Sequence, residues 1–240
     1  MFKKLLTGTV ICIGTGAYAD GEWTVGILGV GTTGTYVGED DTVGVAPFLT
    51  YETDRLSVGL DGVSYNVLEY QQGTVGLALG YRGGPDFPNK DPLFDGLKRD
   101  DAVEAGITAQ LDFGNAYVSL HTMTDVSDTH GGTEANVVVG YAIAPGSFVV
   151  SAEVGARFRD KDLNQYLYGV SATEATAARS AYAADQTTTA FANLAVVYPV
   201  TQTISAVGIV EYEDLGSNAD SPLVDKSDVV GVGLGLIMSF

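Results

Sequence analysis

The chain has 240 residues, 12 basic (Lys+Arg) against 30 acidic (Asp+Glu), a formal net charge of −18 and a single cysteine. That excess of acid sets nucleic acid aside as a partner, because a polyanion is repelled, and one cysteine excludes both a disulfide framework and a cysteine metal centre. The acid is dispersed over short stretches such as Glu39 to Asp41, Asp100-Asp101 and Glu211 to Asp214, the pattern of a solvated surface.

At the N-terminus, Lys3 and Lys4 precede an apolar stretch from Leu5 to Ile13, and Ala17-Tyr18-Ala19 stands before Asp20. A positive start, a short apolar run and small residues at its end form the layout of an export signal. Cleavage is therefore expected between Ala19 and Asp20, leaving residues 20–240 as one domain behind a leader of residues 1–19. The apolar run falls short of the ~20 residues a membrane helix needs. Cys12 lies inside the leader behind Ile11, where lipidation would need a small residue, so the exported chain carries no thiol.

From there the chain reads as strands at 22–30, 42–51, 55–60, 63–68, 73–82, 102–112, 115–124, 133–143, 147–159, 188–198, 203–213 and 228–240. In the fifth, Val75, Leu77, Leu79 and Tyr81 alternate with Thr74, Gly76, Ala78, Gly80 and Arg82. In the sixth, Val103, Ala105, Ile107, Ala109 and Leu111 alternate with Glu104, Gly106, Thr108, Gln110 and Asp112. The ninth sets Phe148, Val150, Ala152, Val154 and Phe158 against Ser151, Glu153, Gly155, Arg157 and Arg159, and the last sets Val230, Val232, Leu234, Leu236, Met238 and Phe240 against a glycine-rich face. A period of two is the signature of a strand with two different faces. Leu56 to Leu68 is the ambiguous stretch, readable as a hairpin or as one strand with a bulge at Asp61-Gly62.

Soluble sandwiches alternate too, but their strands average about 5 or 6 residues, whereas a tilted strand needs about 9 to 11 to cross a bilayer. The longer runs here meet the second requirement. The fold expected is an all-β, transmembrane, antiparallel up-and-down barrel of about 12 strands in a Gram-negative outer membrane. Its connections alternate as such barrels require, with short periplasmic turns at 52–54, 69–72, 113–114, 144–146 and 199–202 and, apart from Asp61-Gly62, long external loops. Mid-strand charges then point inward, so Arg82, Glu104, Asp112, Glu153, Arg157 and Glu211 are expected to line the lumen. They either pair into a filled polar interior or leave a path for small solutes. The alanine-rich Ser171 to Asp185 within the external loop 160–187 predicts a short helix over the mouth.

Three local patterns invite chemistry. Ser119 and His121 share one strand face, the proximity a lipid hydrolase would use, but no fixed acid accompanies them and strand geometry alone makes such pairs common. His130, before Gly131-Gly132 and near Asp125 and Asp128, suggests a divalent-cation site, against the blander reading of a solvated turn. Gly26 to Gly34 superficially resembles a phosphate loop, yet no helix or lysine follows, so its glycines serve packing and curvature. No catalytic residue, cofactor or metal ligand is assigned.

Several segments resemble the MltA-interacting protein / OmpV family. Most specific is Tyr166-Leu-Tyr-Gly-Val-Ser-Ala-Thr-Glu-Ala175 with Tyr182 following; next is Asp220-Ser-Pro-Leu-Val224 before the last strand, with weaker echoes at Tyr51-Glu52, Leu79 to Arg82, Gly96-Leu97, Glu104 to Gly106 and Asp125 to Gly132. The end of the chain, with Gly235, Met238 and a final Phe240, resembles the signal read by the barrel-assembly machinery, though Gly233 departs from its usual polar residue. The resemblance implies an outer-membrane protein in contact with membrane lipid, in one branch a scaffold joining a murein lytic transglycosylase to a murein synthase, in others a surface protein. A scaffold or surface barrel is the leading reading; a passive solute channel and, more remotely, a lipid hydrolase are the alternatives.

Overall fold

The structure is a computed structural model that describes residues 21–60, 62–88 and 91–240. The leader, with Cys12 and the Ala19/Asp20 cleavage site, lies outside the described residues. Twelve strands follow in order: β1 (Glu22–Thr32), β2 (Thr42–Glu52), β3 (Leu56–Gly59), β4 (Gly62–Tyr70), β5 (Gly73–Arg82), β6 (Ala102–Phe113), β7 (Ala116–Asp125), β8 (Thr133–Ile143), β9 (Val149–Arg159), β10 (Thr187–Pro199), β11 (Ile204–Asp214) and β12 (Asp228–Ser239). Each pairs antiparallel with its chain neighbours, and β12 returns to β1 to close the barrel.

Closure is made by β1 against β12 from Thr24↔Ser239 to Thr32↔Gly231, with Trp23 and Phe240 exchanging both backbone hydrogen bonds at 3.0 Å. Gly235 and Met238 therefore stand in the closing ladder, opposite Leu28 and Val25. The outward positions are apolar and exposed, as at Ile27, Leu77, Ile107, Val154 and Leu234. Such a surface is unfavourable in water and suits hydrocarbon. At the short-turn end the ring pairs Trp23–Tyr51 and Phe148–Tyr198, 4.8 and 4.9 Å between centroids, form part of an aromatic girdle at the membrane interface.

Two expectations are corrected inside and outside the barrel. The interior is not polar throughout. Leu28, Val30, Ala46, Val197, Val207, Ile209 and Ile237 point inward from β1, β2, β10, β11 and β12 as one buried apolar cluster. Glycine makes it compact: a Cβ on inward Gly235 would sit 2.1 Å from Ile27 O and 2.7 Å from Leu28 Cδ2. Outside, the helix falls not on Ser171 to Asp185 but on Lys161–Tyr168 (α1). Asp160 caps α1, its carboxylate accepting from Leu163 N at 2.9 Å. The alanine-rich stretch instead forms turns and a Val170↔Tyr182 bridge, because Glu174 accepts from Ser171 N and from the Arg99 side chain while Arg179 donates to Glu174 O and to Leu93 O of another loop, a tertiary override of propensity.

The ambiguous stretch resolves as a hairpin, β3 pairing β4, with the irregularity at Asn66/Leu68 against β5 rather than at the turn. The long connections collect at the end opposite the short turns and pack a second core of Tyr36, Phe87, Phe94, Leu97, Tyr168, Val170, Leu215, Leu223 and Val224. Aromatic edges dominate it, Tyr36 lying 5.0 Å from Phe87 and 6.2 Å from Phe94.

Candidate functional site

The outer half of the lumen is organised by Glu134, at the start of β8. Its carboxylate takes Arg159 Nε at 2.8 Å, and lies 3.6 Å from Arg82 Nη2 and 3.9 Å from Arg157 Nε. Arg82 Nε also reaches Glu104 at 2.7 Å, Arg159 Nη2 reaches Glu213 at 2.8 Å, and Arg157 binds Glu213 and Asn136. Arg157 further lies 4.9 Å over the Phe191 ring. Three arginines facing three carboxylates in a buried setting are stable only because nearly every group is matched.

Of the six residues expected to line the lumen, Arg82, Glu104 and Arg157 come together in this cluster. Glu153 lies lower, accepting from Tyr117 and from Asn193 Nδ2. Glu211 sits between Asn193 and Gly231 in the ladder, and Asp112 is at the short-turn rim, accepting from Gln110 Nε2 at 2.8 Å. The hub itself, Glu134 with Arg159 and Glu213, was missed. Strand parity was the available signal, since Arg159 follows Arg157 at the same face.

The candidate chemical pairs take other roles. Ser119 and His121 face inward in register with Val138 and Asn136, and neither has a side-chain hydrogen bond to the other or to a carboxylate among the described residues. His130 is not in a solvated turn: its side chain is fully buried, with Nε2 3.2 Å from Glu104, Nδ1 accepting from Gly132 N and the ring 5.0 Å from Tyr166. Asp125 turns its carboxylate to the backbone N–H groups of Ser127, Thr129, His130 and Gly131, so it closes the loop and is not gathered into a metal cluster. Among the described residues no His, Asp and Glu grouping suited to a metal is found.

Two spaces flank the cluster. Towards the short turns a recess of about 570 Å³ is lined by Ser64, Thr108, Ser119, His121, Glu153 and Asn193, with Glu52, Asp54, Arg55 and Glu69 at its rim. Above, a cavity of about 190 Å³ lies beneath Tyr36, Leu167 and Tyr168 of the loops. The loops are fastened over it by Tyr36 OH to Leu167 O, Tyr166 OH to Asp100 O and Ser221 Oγ to Tyr168 O. Arg99 joins them, binding Tyr166 O, Gly169 O and, at 2.6 Å, Glu174. Partial burial alone would raise the Glu174 pKa, but the bonds from Arg99 and Ser171 prevail and hold it down at about 2.

A family model described as MltA-interacting protein MipA matches residues 25–240. Outer membrane protein OmpV of Vibrio cholerae is 26% identical over 227 residues, 92% of this chain and 88% of that protein. The MltA-interacting protein of Escherichia coli is 26% identical over 250 residues, 99% of this chain and 98% of that one. Among solved structures, outer-membrane-expressed OmpT of Vibrio cholerae aligns at 9% identity and TM-score 0.43 over 95% of this chain and 99% of that one, too remote to carry anything across.

Removing the hub leaves three arginines under-compensated. Glu134→Ala is expected to destabilise the barrel by about 3–5 kcal/mol, read as a lower denaturant midpoint in detergent; an unchanged midpoint would show the cluster to be energetically idle. A second prediction concerns acid. Because the folded Glu174 titrates near 2 and an unfolded glutamate near 4.3, its stabilisation is complete above the upper value and disappears as pH falls through the lower. Limited proteolysis with an acid protease should therefore cut the 171–185 segment faster as pH drops from 4.5 towards 2, and Glu174→Gln should flatten that rise.

Proposed function

The chain belongs to the MltA-interacting protein MipA family, and from that premise we propose that it is a non-conducting outer-membrane scaffold that performs no turnover and offers its periplasm-facing recess to murein-remodelling enzymes. One observation carries the reading: the external loops form a packed core directly over an interior in which the charges of Arg82, Arg157 and Arg159 face carboxylates. A passive channel is favoured by a continuous aqueous path with charge available to solutes, and the packed loops and paired charges argue for the scaffold instead.

The short turns present little surface to a soluble partner, so the recess must supply the contacts. Its rim carries Glu52 and Asp54 beyond the Arg55–Glu69 pair, which is closed at 2.9 Å. An acidic, partly open rim suits a basic segment of a partner. The name of the Escherichia coli relative states an interaction with MltA; carried to this chain, it makes a murein lytic transglycosylase, and with it a murein synthase, the proposed partners. Membrane lipid surrounds the apolar belt, and the Gly235, Met238 and Phe240 end is proposed as the mark read by the barrel-assembly machinery.

In planar bilayers the purified protein is expected to give no conductance steps, and immobilised protein in detergent is expected to retain a murein lytic transglycosylase. Replacing Glu52 and Asp54 together by lysine should lower that retention at least fivefold. Discrete steps would overturn the closed interior, and failure to retain the enzyme would overturn the scaffold.

A further inference from the structure

Among the described residues the wall of the barrel is interrupted along β2, and the sequence places a proline there. In β1 the odd-numbered residues spend their backbone groups on β12, as Trp23 with Phe240 and Thr33 N with Val230 O show. Hydrogen-bonded pairs alternate along an antiparallel ladder, so the even residues of β1 bond β2, and through the register Thr24↔Thr50 to Thr32↔Thr42 the even residues of β2 bond β1. The odd residues of β2 then face the next strand. That strand is β3, four residues long, and it pairs β2 only at Thr50, Tyr51 and Glu52.

Val43, Val45, Pro47 and Leu49 thus present an edge that no strand pairs among the described residues. Proline has no N–H and is confined to edges, so Pro47 is at home in a barrel only where the ladder is open. The opening is framed by this edge and by the end of β5 from Tyr81 to Gly84, beyond the last pair Gly62↔Gly80 of β4 with β5. Above it the loops meet through Tyr36, Phe87 and Phe94. Its outer rim is apolar, Val43 being 87% and Val45 54% exposed.

An unpaired edge at membrane depth is tolerated where it is buried in protein or lines a water-filled cavity, and open space lies inward. A Cβ on Gly44, which faces the interior opposite buried Val30, would meet nothing within 4 Å. The cavity of about 190 Å³ reaches the β5 margin of the opening at Arg82 to Pro85, and its other side is the end of β1 at Thr32 and Thr33, Thr32 standing opposite Thr42, where β2 begins. It is also lined by Arg159, 6% exposed, whose Nη1 has no hydrogen-bond partner among the described residues. A buried donor left without an acceptor is costly.

We propose that this opening is a lateral site that takes an uncharged, single-chain amphiphile from the surrounding membrane. The tail lies between β2 and the end of β5, and an acceptor oxygen of the head, a hydroxyl or ester carbonyl, receives Arg159 Nη1. Charge decides the head group: Glu104, Glu134, Glu211 and Glu213 already match or outnumber Arg82, Arg157 and Arg159, so a carboxylate or phosphate would enter without a compensating charge. Size agrees, since a cavity of about 190 Å³ has room for a glycerol-sized head.

The test uses the full barrel in lipid nanodiscs with a monoacylglycerol carrying a photoactivatable diazirine, its attachment sites mapped by mass spectrometry. Labelling is expected at interior Thr32, Thr33 and Gly83 to Pro85 as well as at lipid-facing Val43 and Val45. Gly44→Trp, or Gly44→Leu if the larger residue prevents closure, should cut the interior labelling at least tenfold. A diazirine fatty acid should label the interior at less than a tenth of the glyceride's level. Labelling confined to lipid-facing positions, or undiminished in the Gly44 variants, would overturn the site; equal interior labelling by the fatty acid would overturn the uncharged assignment. Disulfide-linked dimers of Val45→Cys would overturn it differently, by showing that a second copy covers the edge.

Discussion

In hydrocarbon no water is available to satisfy a backbone N–H or C=O, so a membrane strand has its edges paired in a closed ladder, or left open only where protein or a water-filled cavity covers them. Everything else in this protein follows from that closure. The even strand count brings β1 and β12 to the same end, and the ladder between them fixes which residues face lipid and which face inward. The outward set becomes uniformly apolar while the inward set is free to vary. It varies sharply, from the apolar cluster around Leu28 and Ile209 to the ion cluster around Glu134.

The two kinds of interior divide the labour. Apolar side chains and glycine line one wall of the lumen. The ion cluster occupies the outer half, where α1, its Asp160 cap and the loop core seat above it. His130 ties the β7–β8 loop down to Glu104 from beneath Tyr166. Lid and cluster therefore hold one another in place, which is how long loops over an aqueous mouth become ordered, and it leaves the periplasm-facing recess as the larger accessible space.

Strand existence, parity and number were legible in the sequence because a bilayer-spanning strand imposes long runs of period two, clearest in β5, β6 and β9. The hairpin at Leu56 to Leu68 was ambiguous because β3 is too short to show a period. The helix was misplaced because alanine content speaks only of local propensity, whereas Glu174 and Arg179 also bond other segments, through Arg99 and Leu93 O. The apolar interior was hidden because inward and outward valines look alike once both faces are apolar, as on β1 and β12. Glu134 gave no signal of its own; its partners lie on β5 and β9. Pro47 was readable, since a proline inside a strand demands an edge, but only the register shows which edge is open.

The account stands on a ladder that closes through β1 and β12 but is open along β2 among the described residues. Residue-resolved amide hydrogen exchange in nanodiscs measures this directly. Val43, Val45 and Leu49 should exchange far faster than Ile27 and Gly29, whose amides face β12 within the closing ladder, although all five lie on adjacent strands. Equal protection along both strands would contradict the account, for it would mean that the edge is paired and the wall unbroken.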